Sequence, residues 1–202
     1  NGQEVADEVY KRTGVRIEII DGAEEASIIA STDISSLIQK DKDYLYIDVG
    51  GGSTEFTVFS KGKVKKSRSF PIGTVRLLDN KVSDKTWEDV EKWIKKHTKD
   101  CEHIEAIGSG GNINKIHKNS NSKEGEPLSY QYLTDYHNYV SGFSYEERIR
   151  LLGFNPDRAD VILYALTVFT NAMKWSGAEI VHVPRIGLAD GIVRTIYNKE
   201  NQ

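Results

Sequence analysis

Hydrophobic positions recur along this chain in two rhythms, and the change from one to the other predicts its elements. GQEVADEVYKRTG, residues 2–14, sets Val5 and Val9 at helical spacing among polar residues, with Gly14 placed to end the helix. VRIEII, residues 15–20, alternates as a short strand. Asp21 can cap a further helix whose apolar positions Ala26, Ile29 and Ala30 lead on to Ile34, Leu37 and Ile38. Three strands are expected at residues 44–50, 53–61 and 63–71, joined so tightly that they read as an antiparallel meander.

The second half is more helical. DKTWEDVEKWIKKH is amphipathic, with Val90, Ile94 and His97 on one face. HIEAIGSGGN predicts a strand entering a glycine-rich turn, with a helix starting at Asn112. Residues 119–129 read as a loop, and Ser144 with Glu147 has the spacing of a capping box ahead of another helix. Asn155-Pro156 opens the strongest helix, apolar almost all round and expected at the centre of the fold. Gly177 ends it, EIVHV is a last strand and GLADGIVRTIY a last helix. With no internal repeat and no linker, one α/β domain accounts for all of this.

Composition narrows the partners. In 202 residues, 38% are hydrophobic and 28% charged, which is ordinary for a globular protein with a real core. A formal net charge of −3 gives no bulk attraction to nucleic acid or to a membrane surface. The apolar run Val161 to Phe169 is too short to cross a bilayer. Cys101 is the single cysteine, so an internal disulfide is excluded and a reducing, cytoplasmic setting is expected.

The chemistry concentrates in YLYIDVGGGSTEFTVF, residues 44–59. Alternation puts Leu45, Ile47 and Val49 on one face of the first strand, with Tyr44, Tyr46 and Asp48 on the other. Asp48 therefore emerges at the strand's end, where a carboxylate can take a hard cation. Gly50, Gly51 and Gly52 carry no Cβ, so an anion can approach their successive N–H groups, with the Ser53 and Thr54 hydroxyls alongside. The plain alternative is a glycine-rich hairpin that merely turns sharply. No lysine follows as in a Walker-type loop. Gly108, Ser109, Gly110 and Gly111 repeat the idea at a strand-to-helix junction, where helix-terminal amides attract anions.

Taken in order, IEIIDGAEEASII, DVGGGSTE, FPIGTVRL, GSGGN, DRADVI and GLADG resemble the exopolyphosphatase/guanosine pentaphosphate phosphatase family, within the superfamily of actin, sugar kinases and heat-shock ATPases. The likeness covers essentially the whole chain. It implies an α/β, ribonuclease-H-like (actin-like) lobe: a mixed sheet containing the three-stranded antiparallel meander, flanked by helices. Family members pair two such lobes around the active-site cleft and begin with a D-x-G-S-N-type loop. Residues 1–202 show no such loop, so the resemblance implies the second lobe alone, with an N-terminal lobe expected in cis and little activity expected of this lobe by itself.

The activity so implied is hydrolysis of terminal phosphoanhydride bonds of inorganic polyphosphate or guanosine pentaphosphate, with Mg²⁺ or another divalent cation. By the same resemblance Glu25 is the catalytic base, Asp48 the metal-associated aspartate and residues 50–54 the phosphate loop. Glu55 is that loop's acid, and residues 108–111 form a second ligand-facing turn. GLADG departs from the family's G-L-R-[ED]-G: Ala189 stands where an arginine is usual, and Arg185 is the nearby group that could take its role.

Other readings stay open at this point. An actin-like lobe can bind phosphate or nucleotide without catalysis, and an ATPase or kinase of the same superfamily shares the motifs. Asp21 with Glu24 also fits a capping box. Lys61, Lys63, Lys65, Lys66 and Arg68 fit the usual guarding of an edge strand, or a track for a long polyanion. Arg76 suits a phosphate or a structural ion pair, and Arg158 with Asp160 could pair with each other or with neighbours. The five histidines lack zinc-site spacing. A homodimer is left open, as is the choice between polyphosphate and guanosine polyphosphate.

Overall fold

The computed structural model describes residues 1–20, 38–39, 41–184, 193 and 196–197. Strands β1 (Asp43–Val49), β2 (Thr54–Ser60), β3 (Lys63–Phe70), β4 (Ile104–Ser109), β5 (Leu128–Ser129) and β6 (Ile180–His182) form one sheet in the order β3-β2-β1-β4-β6-β5. The expected meander is the antiparallel half, β1 to β3. On its other side β1 pairs in parallel with β4, and β4 in parallel with β6, so the sheet is mixed. Both neighbours of β1 bury it, and its alternation falls as the sequence predicts. Leu45, Ile47 and Val49 enter the main core, while Tyr44 and Tyr46 join Phe59 and Ile107 in a smaller cluster on the opposite face.

Helices follow from local chemistry. Helix α1 (Gly2–Thr13) ends at Gly14, whose φ of 72° is the left-handed conformation that glycine tolerates. A short α2 (Thr74–Leu78) follows β3. In α3 (Asp84–Thr98) the Ser83 hydroxyl caps the Thr86 N–H, and Val90, Trp93 and Ile94 are buried against the sheet. Helix α4 (Gly111–Asn119) follows β4, and α5 (Tyr130–Ser141) is capped by Ser129. Helix α6 (Tyr145–Arg150) starts with the expected capping box, Ser144 and Glu147 each bonding the other's backbone N–H. A single turn, α7 (Pro156–Ala159), precedes the central α8 (Ile162–Ser176). Helix α8 buries Ile162, Ala165, Leu166, Val168, Phe169, Ala172 and Met173, and packs against α5, α3, α2 and β1. No helix among the described residues is long and apolar enough to cross a membrane.

Several expectations need correction. Residues 15–20 form no strand: Val15, Ile17 and Ile19 keep their alternation but lie exposed, and among the described residues no neighbouring strand takes their backbone bonds. The long helix expected from Asn155 onward is broken at Asp160–Val161. The Ala159 carbonyl, which a continuous helix would use internally, instead accepts from Arg148 Nη1 at 3.1 Å, and Val161 N–H closes a tighter bond to Arg158 O. Helix α5 had no counterpart in the sequence reading, because YQYLTDYHNYVS is rich in aromatic residues of modest helix propensity. Its buried stripe, Leu133 and Val140 with Tyr136 packed alongside, nonetheless has helical spacing. The loop expected at 119–129 contains the two residues of β5 at its end. The helix expected after Asp21 and most of the last helix lie outside the described residues.

Phe169 sits fully buried where α8 meets the sheet. Phe169→Ala is expected to cost about 3–5 kcal/mol of stability, read as a lower denaturant midpoint with an unchanged slope.

Candidate phosphate-binding site

The hairpin from β1 to β2 turns through Gly50, Gly51, Gly52 and Ser53, closed by Gly50 N–H to Ser53 O at 3.0 Å. None of the three glycines has a positive φ, so the turn does not need them for their conformational freedom. Their carbonyls face α2. Gly50 O accepts from Thr74 N at 2.9 Å, Gly51 O from Val75 N at 2.9 Å, and Gly52 O from Arg76 Nε at 2.7 Å. A trans peptide sets its C=O and the following N–H on opposite sides. Three carbonyls turned toward α2 therefore turn the N–H groups of Gly51, Gly52 and Ser53 away from it. Among the described residues none of these three N–H groups has an acceptor. They form the row of bare donors that an anion needs.

Two close contacts explain two glycines. A Cβ at Gly73 would lie 2.2 Å from Gly51 O, so only glycine lets the start of α2 reach the turn. A Cβ at Gly51 would lie 3.3 Å from the Val75 side chain, a tight fit. Gly52 is different: a Cβ there meets nothing within 4 Å. Neither conformation nor packing requires glycine at 52. Among the described residues, then, nothing covers the face of the turn at Gly52.

The second turn lies beside the first because β1 and β4 run parallel and end together, with Asp48 opposite Ser109. Gly110 adopts φ 106°, which favours glycine, and a Cβ there would approach Val49 O to 3.0 Å and Asp48 Oδ1 to 3.5 Å. The second turn thus touches the end of β1, just ahead of the first turn. Gly111 opens α4 against the Arg158 guanidinium, whose Nη2 would be 2.6 Å from a Cβ. That contact, rather than a pairing with Asp160, is where Arg158 goes, with Asp157 a looser partner at 3.6 Å.

Other expected site residues are placed less openly. Gly108 is inside β4, its α-carbon facing Ile113, Phe169 and Val181, so packing accounts for it. Ser109 is buried and its hydroxyl bonds Asp48. Thr54 is buried and donates to Ile72 O at 2.8 Å, which ties β2 to the segment ahead of α2. Glu55 accepts from Ser53 and Ser69, each at 2.7 Å, and so fixes the Ser53 side chain at the lip of the turn. Glu25, Arg185 and Ala189 lie outside the described residues. Gly73 was not singled out in the sequence; Arg76 was, as a phosphate contact or a structural ion pair, and its Nε instead bonds Gly52 O.

Asp48 is the electrostatic centre. Burial raises its carboxyl above the usual range, the Glu55 charge opposite adds to the rise, and hydrogen bonds from Tyr46 (3.1 Å) and Ser109 draw it back in part. A cation would relieve both causes of the rise. The nearby donors are oxygens, which suits a hard ion such as Mg²⁺. No group of three His, Cys, Asp or Glu that could hold a metal occurs among the described residues. The fit is to an ion that keeps water and takes further oxygens from its ligand.

This mixed sheet, with helices on its faces, has the actin-like architecture. A Ppx/GppA family member from Aquifex aeolicus superposes with a TM-score of 0.77 at 24% identity, over 100% of this chain and 71% of that one. An exopolyphosphatase from Cytophaga hutchinsonii superposes with a TM-score of 0.80 at 21% identity, over 98% of this chain and 71% of that one. The Ppx/GppA phosphatase family matches residues 1–200, and the chain belongs to that family. A curated relative is the bifunctional 3-dehydroquinate synthase/phosphatase of Fusobacterium nucleatum, 26% identical over 212 residues. That alignment covers 95% of this chain and 32% of that protein, so the chain spans about a third of this relative's length.

Gly52→Ala is expected to leave stability unchanged or raise it by about 0.4–1 kcal/mol, while weakening phosphate binding in isothermal titration. Gly73→Ala should instead lower stability by about 1–3 kcal/mol as the start of α2 is pushed off the turn. Equal stability losses in both variants would show that the turn is bare for packing reasons.

Proposed function

We propose that the intact protein hydrolyses terminal phosphoanhydride bonds, acting on inorganic polyphosphate or guanosine pentaphosphate. The observation that carries this reading is the row of N–H groups at residues 51–53 without acceptors among the described residues, next to the half-buried Asp48 at the end of β1, which a second glycine turn also touches. Family membership and the likeness to an exopolyphosphatase support it. The terminal phosphoryl group rests on the 51–53 amides, with the amides at the start of α4 facing the same ligand. Glu25 orients the attacking water and takes its proton, so that the new P–O bond forms as the bridging P–O bond on the far side breaks. Asp48 is the residue that would hold a Mg²⁺ ion, and such an ion would supply positive charge to offset that of the phosphoryl oxygens. Val15, Ile17 and Ile19, alternating and exposed, are the face against which a first lobe would complete the cleft.

Phosphate release from polyphosphate and from guanosine pentaphosphate, measured by malachite green on the intact protein with and without Mg²⁺, tests the reading. Release only with Mg²⁺ is expected. No release from either substrate would leave a phosphate-binding module without turnover. Glu25→Gln should abolish release while leaving the affinity for phosphate largely intact, and normal turnover by that variant would overturn the base assignment.

Asp48→Asn separates function from stability. A raised carboxyl pKa means that the ionised form costs folding stability, a cost that grows as pH climbs from the ordinary aspartate range through the raised value. The variant should therefore lose Mg²⁺-dependent release yet melt higher than the parent at neutral pH, with the difference vanishing in acid.

A further inference from the structure

We propose that the recess between α2, α3 and α8 is a binding site for an uncharged, planar aromatic molecule with a carboxamide edge, and that α2 relays its occupancy to the 51–53 turn.

The recess has a volume of about 450 Å³, within the range of small-ligand sites. Its apolar walls are Leu77 of α2, Val82 between α2 and α3, Trp87 of α3, and Tyr164 and Trp175 of α8. The Trp87 and Trp175 rings meet at 64° with centroids 6.0 Å apart, so they form a corner rather than a parallel stack. These side chains are all half-buried. Helix α8 turns one face to the recess over about three turns, because Tyr164, Thr167, Asn171 and Trp175 recur at helical spacing. No Asp, Glu, Lys, Arg or His lines it. A flat apolar ring is favoured in such a lining, and a charged one is not, since nothing there offsets the loss of its hydration.

Two asparagines supply the polar edge. Asn80 follows α2 with a φ of 54°. Its N–H bonds Leu77 O at 3.0 Å and the Lys81 N–H bonds Arg76 O at 2.8 Å, the Schellman closure in which glycine is the usual residue. Glycine would take that left-handed conformation at least cost. Asn171 stands in the interior of the 15-residue α8, where asparagine is one of the weaker helix formers. Each asparagine thus occupies a position that another residue would serve better for folding, and both line the same recess. Among the described residues neither side-chain amide has a hydrogen-bond partner. An amide sets donors and an acceptor side by side. A ligand carboxamide matches both at once, donor to acceptor and acceptor to donor.

Helix α2 joins the recess to the turn. Its first amides, on Thr74 and Val75, and the Arg76 guanidinium hold the carbonyls of Gly50, Gly51 and Gly52. Leu77 and Asn80, at its other end, face the recess. Bonds from Leu77 N–H to Gly73 O and from Asp79 N–H to Val75 O make these five residues one unit. A ring seated against Leu77 therefore bears on the element that sets the turn.

The test uses the intact protein, with nicotinamide as the probe and nicotinate as its charged counterpart of the same ring. In two-dimensional NMR spectra nicotinamide is expected to shift the indole N–H resonances of Trp87 and Trp175. That of Trp93, buried against Phe56 and Phe70, should stay in place. The Gly51 and Gly52 amide resonances should move along the same saturation curve. Nicotinate is expected to bind at least about tenfold more weakly. Asn171→Leu and, separately, Asn80→Gly should each weaken nicotinamide about tenfold, and Asn80→Gly keeps the left-handed turn that the fold needs. Indole resonances that show no saturable shift would overturn the site. Equal affinity for nicotinate, or unchanged affinity in both asparagine variants, would overturn the ligand class. Turn amides that stay still while the indoles saturate would overturn the relay. None of these readouts involves turnover or phosphate, so a failure of the phosphatase reading leaves them standing.

Discussion

The start of α2 set against the carbonyls of Gly50, Gly51 and Gly52 is the contact on which the candidate site depends. A helix N-terminus is usually thought of as the anion binder itself. Here its amides and the Arg76 guanidinium are spent on a neighbouring turn, and planar peptides pass the effect through to the other side. The turn becomes a donor surface without any side chain of its own. Gly73 makes the approach close enough, and Thr54 anchors the segment ahead of it through Ile72 O.

Much of the architecture could be read from periodicity, because burial on two faces leaves a clear mark. The meander strands, the helix from Asp84 and the stop at Gly14 needed only alternation, helical spacing and one glycine each. What could not be read depended on partners distant in sequence. Residues 15–20 have a good strand pattern, but a strand exists only when another completes it, and none among the described residues does. The break before α8 follows from Arg148 taking the Ala159 carbonyl, which no local pattern announces. Helix α5 was obscured by its tyrosines, although Ser129 ahead of it is an ordinary cap.

The candidate site divides in the same way. That residues 50–52 are bare was plain from the sequence, as was the emergence of Asp48 from its strand. Which atoms remain free was not, since it required knowing where the carbonyls go. Of the hydroxyls expected to face a ligand, Thr54 and Ser109 are committed to internal bonds, and Ser53 is steered by Glu55. Gly108 and Gly110 look alike in the sequence, yet one lies against the core and the other lets its turn approach the end of β1. Glu25 entered only through the resemblance, since spacing alone favoured helix capping, which suits Glu24 better than Glu25, and it lies outside the described residues.

Asp48, Glu55 and Ser109 stand in one row across three strands, and the face behind β1 carries Leu45, Ile47 and Val49. Sliding β1 by a single residue would present valine where the acid stands and thrust a charge among leucine and isoleucine. The greasy side chains that never meet a ligand thereby act as the indexing teeth of the polar row. Its alignment is as hard to disturb as the oily interior itself.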